Sequence, residues 1–135
     1  MRITIIGQGN VACNLLYAFE KNGVRAEMIS SRVGLDALPR SDVFIYAVRD
    51  EALEQVAAQV YAPRALHLHT SGTMPLSVFG DDKPHAGVLY FFQSFSKTHL
   101  IEDFTTIPVF IEGRNIDDIS AIYSLAQTLT PRIYE

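Results

Sequence analysis

Two glycines separated by one residue, Gly7 and Gly9, are followed three positions later by Ala12. The apolar segment Arg2–Ile6 precedes them, and a stretch with apolar residues at helical spacing follows. In such a strand–turn–helix the first glycine permits a tight turn, the second lets the backbone approach a pyrophosphate, and the small third residue lets helix pack on strand. The pattern predicts a dinucleotide site; the alternative is that the glycines only form a tight turn. The predicted cofactor-binding residues of this turn are Gly7, Gln8, Gly9, Asn10, Val11 and Ala12.

The end of the second apolar segment, Ala26–Ser30, bears on the choice between NAD and NADP. An acidic residue there binds the ribose 2′-hydroxyl of NAD, whereas serine and arginine suit the 2′-phosphate of NADP. Glu27 begins the segment and should lie about 10 Å from its end, at roughly 3.3 Å per residue. Ser31 and Arg32 follow the segment instead, and arginine binds phosphate oxygens in a bidentate manner. We therefore expect NADP, with a solvated Arg32 as the alternative.

The third apolar segment, Val43–Val48, should end at the same ligand-facing edge of the sheet. We expect Val48 and Arg49 to contact the cofactor, with Arg49 near the adenine or the phosphates. Asp50 is expected to cap the helix that follows rather than to take part in catalysis.

The fourth segment, Ala65–Thr70, ends in a polar sequence. Because the carboxyl ends of parallel strands face the ligand crevice, Thr70, Ser71 and Gly72 should lie near the nicotinamide end of the cofactor. Ser71 can form a hydrogen bond with a substrate carboxylate or carbonyl. Alternatively, it caps a short helix expected over Thr73–Phe79.

Two histidines of the same segment, His67 and His69, lie two residues apart and therefore share one face of the strand. We expect His67 to be buried and hydrogen-bonded. His69, nearer the end of the strand, is a candidate for proton transfer. Because no cluster of acidic residues or cysteines accompanies them, no metal site is expected. The candidate catalytic residues are Ser71 and His69.

A further polar sequence follows the segment Gly87–Phe92. Its members Gln93, Ser96 and Lys97 are expected to lie beside a substrate, with a solvated Lys97 as the alternative. The aromatic residues of the strand itself are expected in the core rather than on a stacking surface.

The fold class follows from short apolar segments that alternate with helical stretches. The predicted strands are Arg2–Ile6, Ala26–Ser30, Val43–Val48, Ala65–Thr70, Gly87–Phe92, Ile107–Ile111 and Arg132–Tyr134. The predicted helices are Asn10–Asn22, Glu51–Val60, Asp117–Thr128 and the shorter Thr73–Phe79. Segments that are apolar throughout are typical of parallel strands buried on both faces. The pattern predicts an α/β, Rossmann-like fold: one domain with a doubly wound, mostly parallel sheet and helices on both faces. Between Ser31 and Ser41, Gly34 and Pro39 leave room for a turn only.

The chain of 135 residues has a net charge of −4, with 48% hydrophobic and 19% charged residues. This composition is typical of one globular domain and lacks the basic cluster that nucleic acids or membrane surfaces require. No apolar run reaches the ~20 residues that span a bilayer. The single cysteine, Cys13, suits a reducing compartment, so a cytoplasmic location is expected.

Several of these segments, in the same order, are similar to a known family. They are GQGNVA at 7–12, AVRDEAL at 47–53, HTSG at 69–72, FQSFSK at 92–97 and IPVFIE at 107–112. Over essentially the whole chain they resemble an uncharacterised family of predicted oxidoreductases. Members have a Rossmann-like N-terminal domain and a helical C-terminal domain of unknown function. That family is related to pyrroline-5-carboxylate reductase, ketopantoate reductase and the deazaflavin-dependent NADP reductases.

The resemblance implies that Ser31 and Arg32 hold the 2′-phosphate and that His69, Ser71 and Gly72 line the nicotinamide side. It places Gln93 and Ser96 beside them, and it implies a second domain that supplies substrate contacts and a dimer interface. One feature departs from the family. Members often have Tyr- or His-Pro-Leu before the glutamine, whereas Phe91 and Phe92 occupy these positions here, which changes the expected direction of Gln93.

The sequence therefore predicts the NADP-binding domain of an oxidoreductase that transfers hydride between NADPH and a small carbonyl or imine substrate. The alternative is a non-catalytic nucleotide-binding or redox-sensing module. Because the chain stops at Glu135, directly after the last predicted strand, we expect 1–135 to be the N-terminal fragment of a longer chain and to be inactive alone. Such a fragment can expose an apolar sheet face through which two copies pair as a homodimer.

Overall fold

The computed structural model describes all 135 residues of the chain. The strands are β1 (Ile3–Ile6), β2 (Ala26–Ile29), β3 (Val43–Tyr46), β4 (Leu66–His69), β5 (Ala86–Phe91), β6 (Val109–Gly113) and β7 (Ile133–Tyr134). The helices are α1 (Asn10–Lys21), α2 (Asp50–Ala58) and α3 (Ile116–Gln127), with a 3₁₀ turn at Leu76–Phe79. None of the helices is both long enough and apolar enough to cross a membrane.

The strands form a single seven-stranded sheet in the order β2-β1-β3-β4-β5-β6-β7. Every neighbouring pair is parallel except β5 and β6. All residues of β1, β3 and β4 are buried, as their continuous apolar sequences require of strands covered on both faces. The predicted α/β, Rossmann-like and mostly parallel sheet in a single domain is thus confirmed.

Helices cover the two faces of the sheet and divide the core in two. On one face, α1 and α3 bury Leu15, Phe19 and Ile122 against the strands. On the other, α2 and the 3₁₀ turn bury Leu53 and Phe79. We call these the α1/α3 face and the α2 face. The carboxyl ends of the central parallel strands meet at one edge between these two layers.

The region before α2 differs from the prediction in how it is capped. Arg49 is the N-cap and Asp50 is already the first helical residue, so the predicted capping role of Asp50 is wrong. The Asp50 carboxylate instead accepts a hydrogen bond from the Thr73 hydroxyl, with Oγ1 and Oδ2 2.8 Å apart. The Asp50 carboxylate is therefore hydrogen-bonded to a residue distant in the sequence and not to the first backbone N–H groups of α2.

The segment after β4 is less helical than predicted. Its regular part is restricted to the 3₁₀ turn, and Pro75 is the N-cap. Proline disfavours helical geometry in the residue before it, so a helix cannot extend back through Met74 to Thr73. The segment between Ser31 and Ser41 contains turns and no helix, as expected.

The aromatic residues of the predicted strand Gly87–Phe92 are divided between core and surface. Phe91 is buried as expected, but Phe92 is 61% exposed, so its prediction as a core residue is wrong. Successive residues of an extended chain point to opposite sides of the sheet. On its own side of the sheet, Phe91 packs against the buried ring of Phe104, 5.5 Å away between centroids.

The strand register confirms that Glu27 lies far from the ligand-facing edge. Glu27 is level with Thr4 in β1, two residues before the strand ends at Ile6. Its carboxylate Oε1 accepts a hydrogen bond from Arg2 Nη2 at 2.9 Å, near the opposite end of the strands. The Glu27 carboxylate is therefore not close to Ser31 and Arg32, which follow β2 at the ligand-facing edge.

His67 forms a buried hydrogen-bonded pair with Tyr46, as expected. Its Nε2 lies 2.8 Å from the Ala62 carbonyl oxygen, and its Nδ1 lies 2.8 Å from the Tyr46 hydroxyl. Because a carbonyl oxygen only accepts, Nε2 carries the proton and Nδ1 accepts from Tyr46. Burial lowers the pKa of His67 to about 4, so the ring is neutral at pH 7.

The free energy of unfolding should therefore decrease as the pH falls from 6.5 to about 4. In this range unfolded His67 binds a proton that the folded protein excludes, and the lowered pKa corresponds to about 3 kcal/mol. Above pH 6.5 the ring is neutral in both states and its contribution is fully present. Urea unfolding at stepped pH should show this decrease in the wild type and in a variant of the exposed His99, His99→Gln. His67→Gln should have a shallower dependence; the same pH dependence in all three proteins would contradict the assignment.

Candidate functional site

Gly7 lies where the ends of β1 and β3 come closest. Its φ of +129° is one that residues with a side chain rarely adopt, and its N–H donates to the Ile29 carbonyl at 2.9 Å. A Cβ atom on Gly7 would lie 2.3 Å from the Ala47 carbonyl oxygen. Glycine is therefore required here by both backbone conformation and space.

Gly9 has a different role. Its φ of −95° is accessible to any residue, and a Cβ atom on it would meet nothing within 4 Å. Gly9 is the N-cap of α1, which has neither a side-chain capping hydrogen bond nor an acidic residue in its first turn. The first N–H groups of a helix lack intrahelical partners and carry partial positive charge. The open space beside Gly9 therefore fits an anion such as a pyrophosphate.

A cleft of about 730 Å³ opens at the carboxyl ends of β1, β2 and β3. The predicted cofactor residues that line it are Gly7, Gln8, Gly9, Ser31, Arg32, Val48 and Arg49. The other predicted ones lie close by: Asn10, Val11 and Ala12 form the first turn of α1, and Thr70, Ser71 and Gly72 follow the neighbouring strand β4. Local sequence and the parallel sheet thus bring most of the predicted set to one edge.

One side of α2 and the residue after it form a wall of the cleft that the sequence analysis missed. These residues are Ala52, Gln55, Val56 and Gln59. Their spacing of three, one and three places them on one side of a helix, which was the available signal. Small and amide side chains along this wall suit a flat polar ring better than a charged group.

Arg32 is the cation of the cleft that has no partner within the chain. Its guanidinium makes no ion pair, and its backbone N–H donates to Ser30 Oγ at 3.1 Å. Arg49, in contrast, has its Nε 3.4 Å from a carboxylate oxygen of Glu51. Arg32 is therefore the freer of the two to bind an anionic group.

Ser71 caps the turn that follows β4. Its Oγ accepts hydrogen bonds from the N–H groups of Thr73 and Met74, at 3.1 and 3.2 Å. The Thr73 hydroxyl donates to Asp50, because a carboxylate only accepts, and its oxygen lies 3.2 Å from Ser71 Oγ. Capping uses the lone pairs of Ser71, so its proton remains available to Thr73 or to a ligand. The two roles expected for Ser71 are therefore compatible.

The side chain of His69 lies in the protein core next to Ser71. The side chain is fully buried beneath the α2 face, with its ring 5.7 Å from that of Phe79. Its Nδ1 accepts the N–H of Ser71 at 3.1 Å, so the proton of the neutral ring is on Nε2, which has no hydrogen-bond partner. Burial lowers the pKa of His69, and the nearby Pro75 carbonyl partly offsets this. His69 thus contacts the site through the Ser71 backbone, and its role in proton transfer stays a prediction.

The loop after β5 is fastened to the first turns of α1 by two asparagines. Asn10 Oδ1 accepts the N–H of Lys97 at 3.0 Å. Asn14 Nδ2 donates to the Ser96 carbonyl at 3.0 Å, and its Oδ1 accepts the N–H of Ile101 at 2.9 Å. Asn14 is fully buried, and the sequence analysis missed it. An asparagine four residues after Asn10 on an apolar helix was the available signal.

This fastening places two of the three predicted substrate-side residues next to the N-terminus of α1. The Ser96 hydroxyl is paired with Thr98 at 2.8 Å, whereas the side chain of Lys97 makes no hydrogen bond. Gln93 lies at the start of the loop, exposed, with its Nε2 3.3 Å from the Ser94 carbonyl oxygen. Their contact with a substrate stays a prediction.

No family model matches the sequence, and no curated protein matches it. Solved structures do match. One is a Bacteroides fragilis protein provisionally described as an NADP oxidoreductase, with a TM-score of 0.87 and 29% identity over 98% of this chain and 59% of that one. A provisionally described Enterococcus faecalis 2-dehydropantoate 2-reductase has a TM-score of 0.77 and 11% identity, over 100% of this chain and 57% of its own. Synechocystis arogenate dehydrogenase has a TM-score of 0.75 and 14% identity, with 99% and 59% covered.

The Bacteroides fragilis protein is described as an NADP oxidoreductase, which supports a dinucleotide-binding oxidoreductase domain here. The other two structures show that the fold is shared. The similarity to the 2-dehydropantoate reductase is one of fold, and it agrees with the resemblance to ketopantoate reductase. The relation to pyrroline-5-carboxylate reductase stays a prediction. The present chain spans 57–59% of the length of these proteins.

The two glycines of the turn should respond differently to the same substitution. Gly7→Ala is expected to lower the free energy of unfolding by about 3 kcal/mol, because it combines a strained φ with a backbone contact. Gly9→Ala should cost no more than about 1 kcal/mol, the usual effect of alanine at an N-cap. Its methyl group would, however, occupy the open space beside α1 and weaken NADPH binding at least about tenfold. Urea unfolding and nicotinamide fluorescence measure the two effects; wild-type NADPH affinity in Gly9→Ala would show that the pyrophosphate does not bind here.

Proposed function

We propose that the chain is the NADP-binding domain of an oxidoreductase that transfers hydride between NADPH and a small carbonyl or imine compound. The observation that carries the proposal is the uncapped N-terminus of α1 beside the open space at Gly9, joined in one cleft to the unpartnered guanidinium of Arg32. These are two separate anion sites, as NADP requires for its pyrophosphate and its 2′-phosphate.

The residues present divide the cofactor between them. Backbone N–H groups of Asn10 and Val11 bind the pyrophosphate, and the Ser31 hydroxyl with Arg32 binds the 2′-phosphate. The α2 wall and Val48, which also line the cleft, accommodate the adenosine side. Thr70, Ser71 and Gly72, which follow the next strand β4, would hold the nicotinamide side.

When bound, the nicotinamide supplies or accepts the hydride. Ser71 donates its hydroxyl proton in a hydrogen bond to the carbonyl oxygen or imine nitrogen of the substrate, which polarises the double bond. His69 holds the backbone of Ser71 in place and is a positioning residue. The Thr73 hydroxyl contacts Ser71 and is exposed to solvent, so it can pass a proton from water to Ser71 after the Ser71 proton has moved to the substrate, while the Asp50 carboxylate orients the Thr73 hydroxyl. Gln93, Ser96 and Lys97 orient the rest of the substrate.

We further propose that residues 1–135 form the N-terminal domain of a longer cytoplasmic enzyme, whose helical second domain completes the substrate site. The matched solved proteins extend well beyond the part that this chain covers. Ser71 and Gly72 lie at an accessible edge of the sheet, where a second domain would exclude water from the reacting groups.

A non-catalytic nucleotide-binding module is the second candidate. It is favoured by the complete burial of His69, which leaves no exposed histidine beside Ser71. Turnover of NADPH by a longer chain with a carbonyl or imine substrate would exclude it.

The cofactor assignment is tested by titrating NADPH and NADH and following nicotinamide fluorescence, which no tryptophan complicates because the chain has none. NADPH should bind more tightly than NADH. Arg32→Ala should weaken NADPH binding by about 2 kcal/mol, roughly 30-fold, because a charge-assisted pair with the 2′-phosphate is lost. It should leave NADH binding unchanged.

The matched control is Arg40→Ala, since Arg40 is also exposed but lies outside the cleft. Its NADPH affinity should equal that of the wild type. Equal losses for NADPH and NADH in Arg32→Ala would argue against a 2′-phosphate contact. Failure of both nucleotides to bind at millimolar concentration would refute the cofactor assignment for this domain.

A further inference from the structure

On the α2 side, the sheet is uncovered at the carboxyl end of β5 and over β6 and β7, whereas Ala86 at the start of β5 packs against the 3₁₀ turn. The uncovered part carries a row of aromatic side chains. In β6 the residues alternate: Val109 and Ile111 are buried against α3, whereas Phe110 points to the other side and is 42% exposed. Phe110 is level with Tyr90 in β5 and with Tyr134 in β7. We call the set Tyr90, Phe92, Phe110 and Tyr134 the aromatic face.

The rings of the aromatic face contact one another in a continuous array. Phe110 lies 6.4 Å from Tyr90, 6.4 Å from Phe92 and 5.5 Å from Tyr134, measured between ring centroids. Phe92 is 61% and Tyr134 46% exposed. Exposed apolar side chains are ordinary when scattered, but a contiguous group of this kind marks a surface that binds something.

This face is continuous with the candidate site. A Cβ atom on Gly72 would lie 2.7 Å from two ring carbons of Tyr90, so the backbone at Gly72 rests directly on the tyrosine ring. Gly72 is the residue after Ser71, and Phe92 is the residue before Gln93. The proposed hydrogen-bond donor and the most exposed ring of the face therefore lie at the same edge of the sheet.

We propose that the aromatic face binds the apolar, ring-sized side group of the substrate, while the carbonyl or imine of the same molecule meets Ser71. The inference rests on the proposed function and names the class of substrate: a carbonyl or imine compound with an aromatic or similarly bulky apolar group. Offset or edge-to-face contacts with Phe92 and Tyr90 would stabilise such a group beyond its burial alone.

Glu112 narrows the class further. It is level with Val88 on the α2 face and is exposed, so it places a carboxylate beside the aromatic face at the side away from Ser71. A negative charge at the distal end of the substrate would be repelled there. The ring group of the substrate should accordingly be uncharged, or it should carry at its distal end a hydrogen-bond donor for the Glu112 carboxylate.

The test compares two 2-oxo acids, pyruvate and phenylpyruvate, that differ by one phenyl ring. Their affinities are measured by calorimetry with the protein saturated with NADP⁺, which cannot donate hydride, so binding is observed without turnover. Phenylpyruvate should bind at least about tenfold more tightly than pyruvate. Phe92→Ala should remove most of this preference. Tyr61→Ala, which removes a ring that is 81% exposed outside the aromatic face, should retain it.

Two results would overturn the inference while leaving the proposed function intact. One is equal affinity for the two acids in a protein that binds NADPH normally. The other is a dimer in sedimentation experiments that Phe92→Ala dissociates, which would show that a second copy of the chain covers the face. Absence of NADPH binding in the wild type would instead overturn the proposed function and this inference with it. A circular dichroism spectrum of Phe92→Ala equal to that of the wild type excludes misfolding as the cause of a lost preference.

Discussion

The close approach of the β1 end to the β3 end is the constraint on which the rest of the site depends. Gly7 makes it possible, because its φ of +129° and the nearby Ala47 carbonyl leave no room for a side chain. The chain can then turn at once and begin α1 at Asn10, directly after Gly9, which lines the cleft. Ala12, fully buried in the first turn, lets the helix pack closely on the sheet. The open N-terminus of α1 and the packing of α1 on the sheet therefore have a common origin.

Buried polar side chains hold the outer parts of the site. Asn14 fastens the loop after β5 to α1, and His69 binds the backbone N–H of Ser71. Both side chains are fully buried, where a hydrogen bond is costly to break because a lost partner leaves an unsatisfied polar group. Exposed loops that would otherwise be mobile are thereby positioned by the core. At the accessible edge of the sheet, the loops are therefore held in place while the cleft stays open.

Much of the architecture could be predicted because parallel strands buried on both faces have a distinctive sequence. Val43–Tyr46 is apolar throughout and is fully buried, and the location of Ser31 and Arg32 follows from where β2 ends. Prediction from the sequence was less successful where the hydrogen-bond partners of a side chain lie far away along the chain. Asp50 is the first residue of α2 rather than its N-cap, and its carboxylate binds the hydroxyl of Thr73, 23 residues away. Asn14 finds its partners 82 and 87 residues along the chain, which no local pattern indicates.

The sequence by itself determined the order of strands and helices along the chain and the tight turn at Gly7. These depend on hydrophobic periodicity and on the backbone freedom of glycine, which are local properties. Only the tertiary structure decided that His69 is buried, that the loop after β5 lies beside α1, and that Phe92 and Phe110 face outward. Burial depends on which element packs on each face of the sheet, and α3 covers only one face of β5 and β6. The alternation of side chains along a strand defines two faces, but it does not indicate which of them a helix will cover.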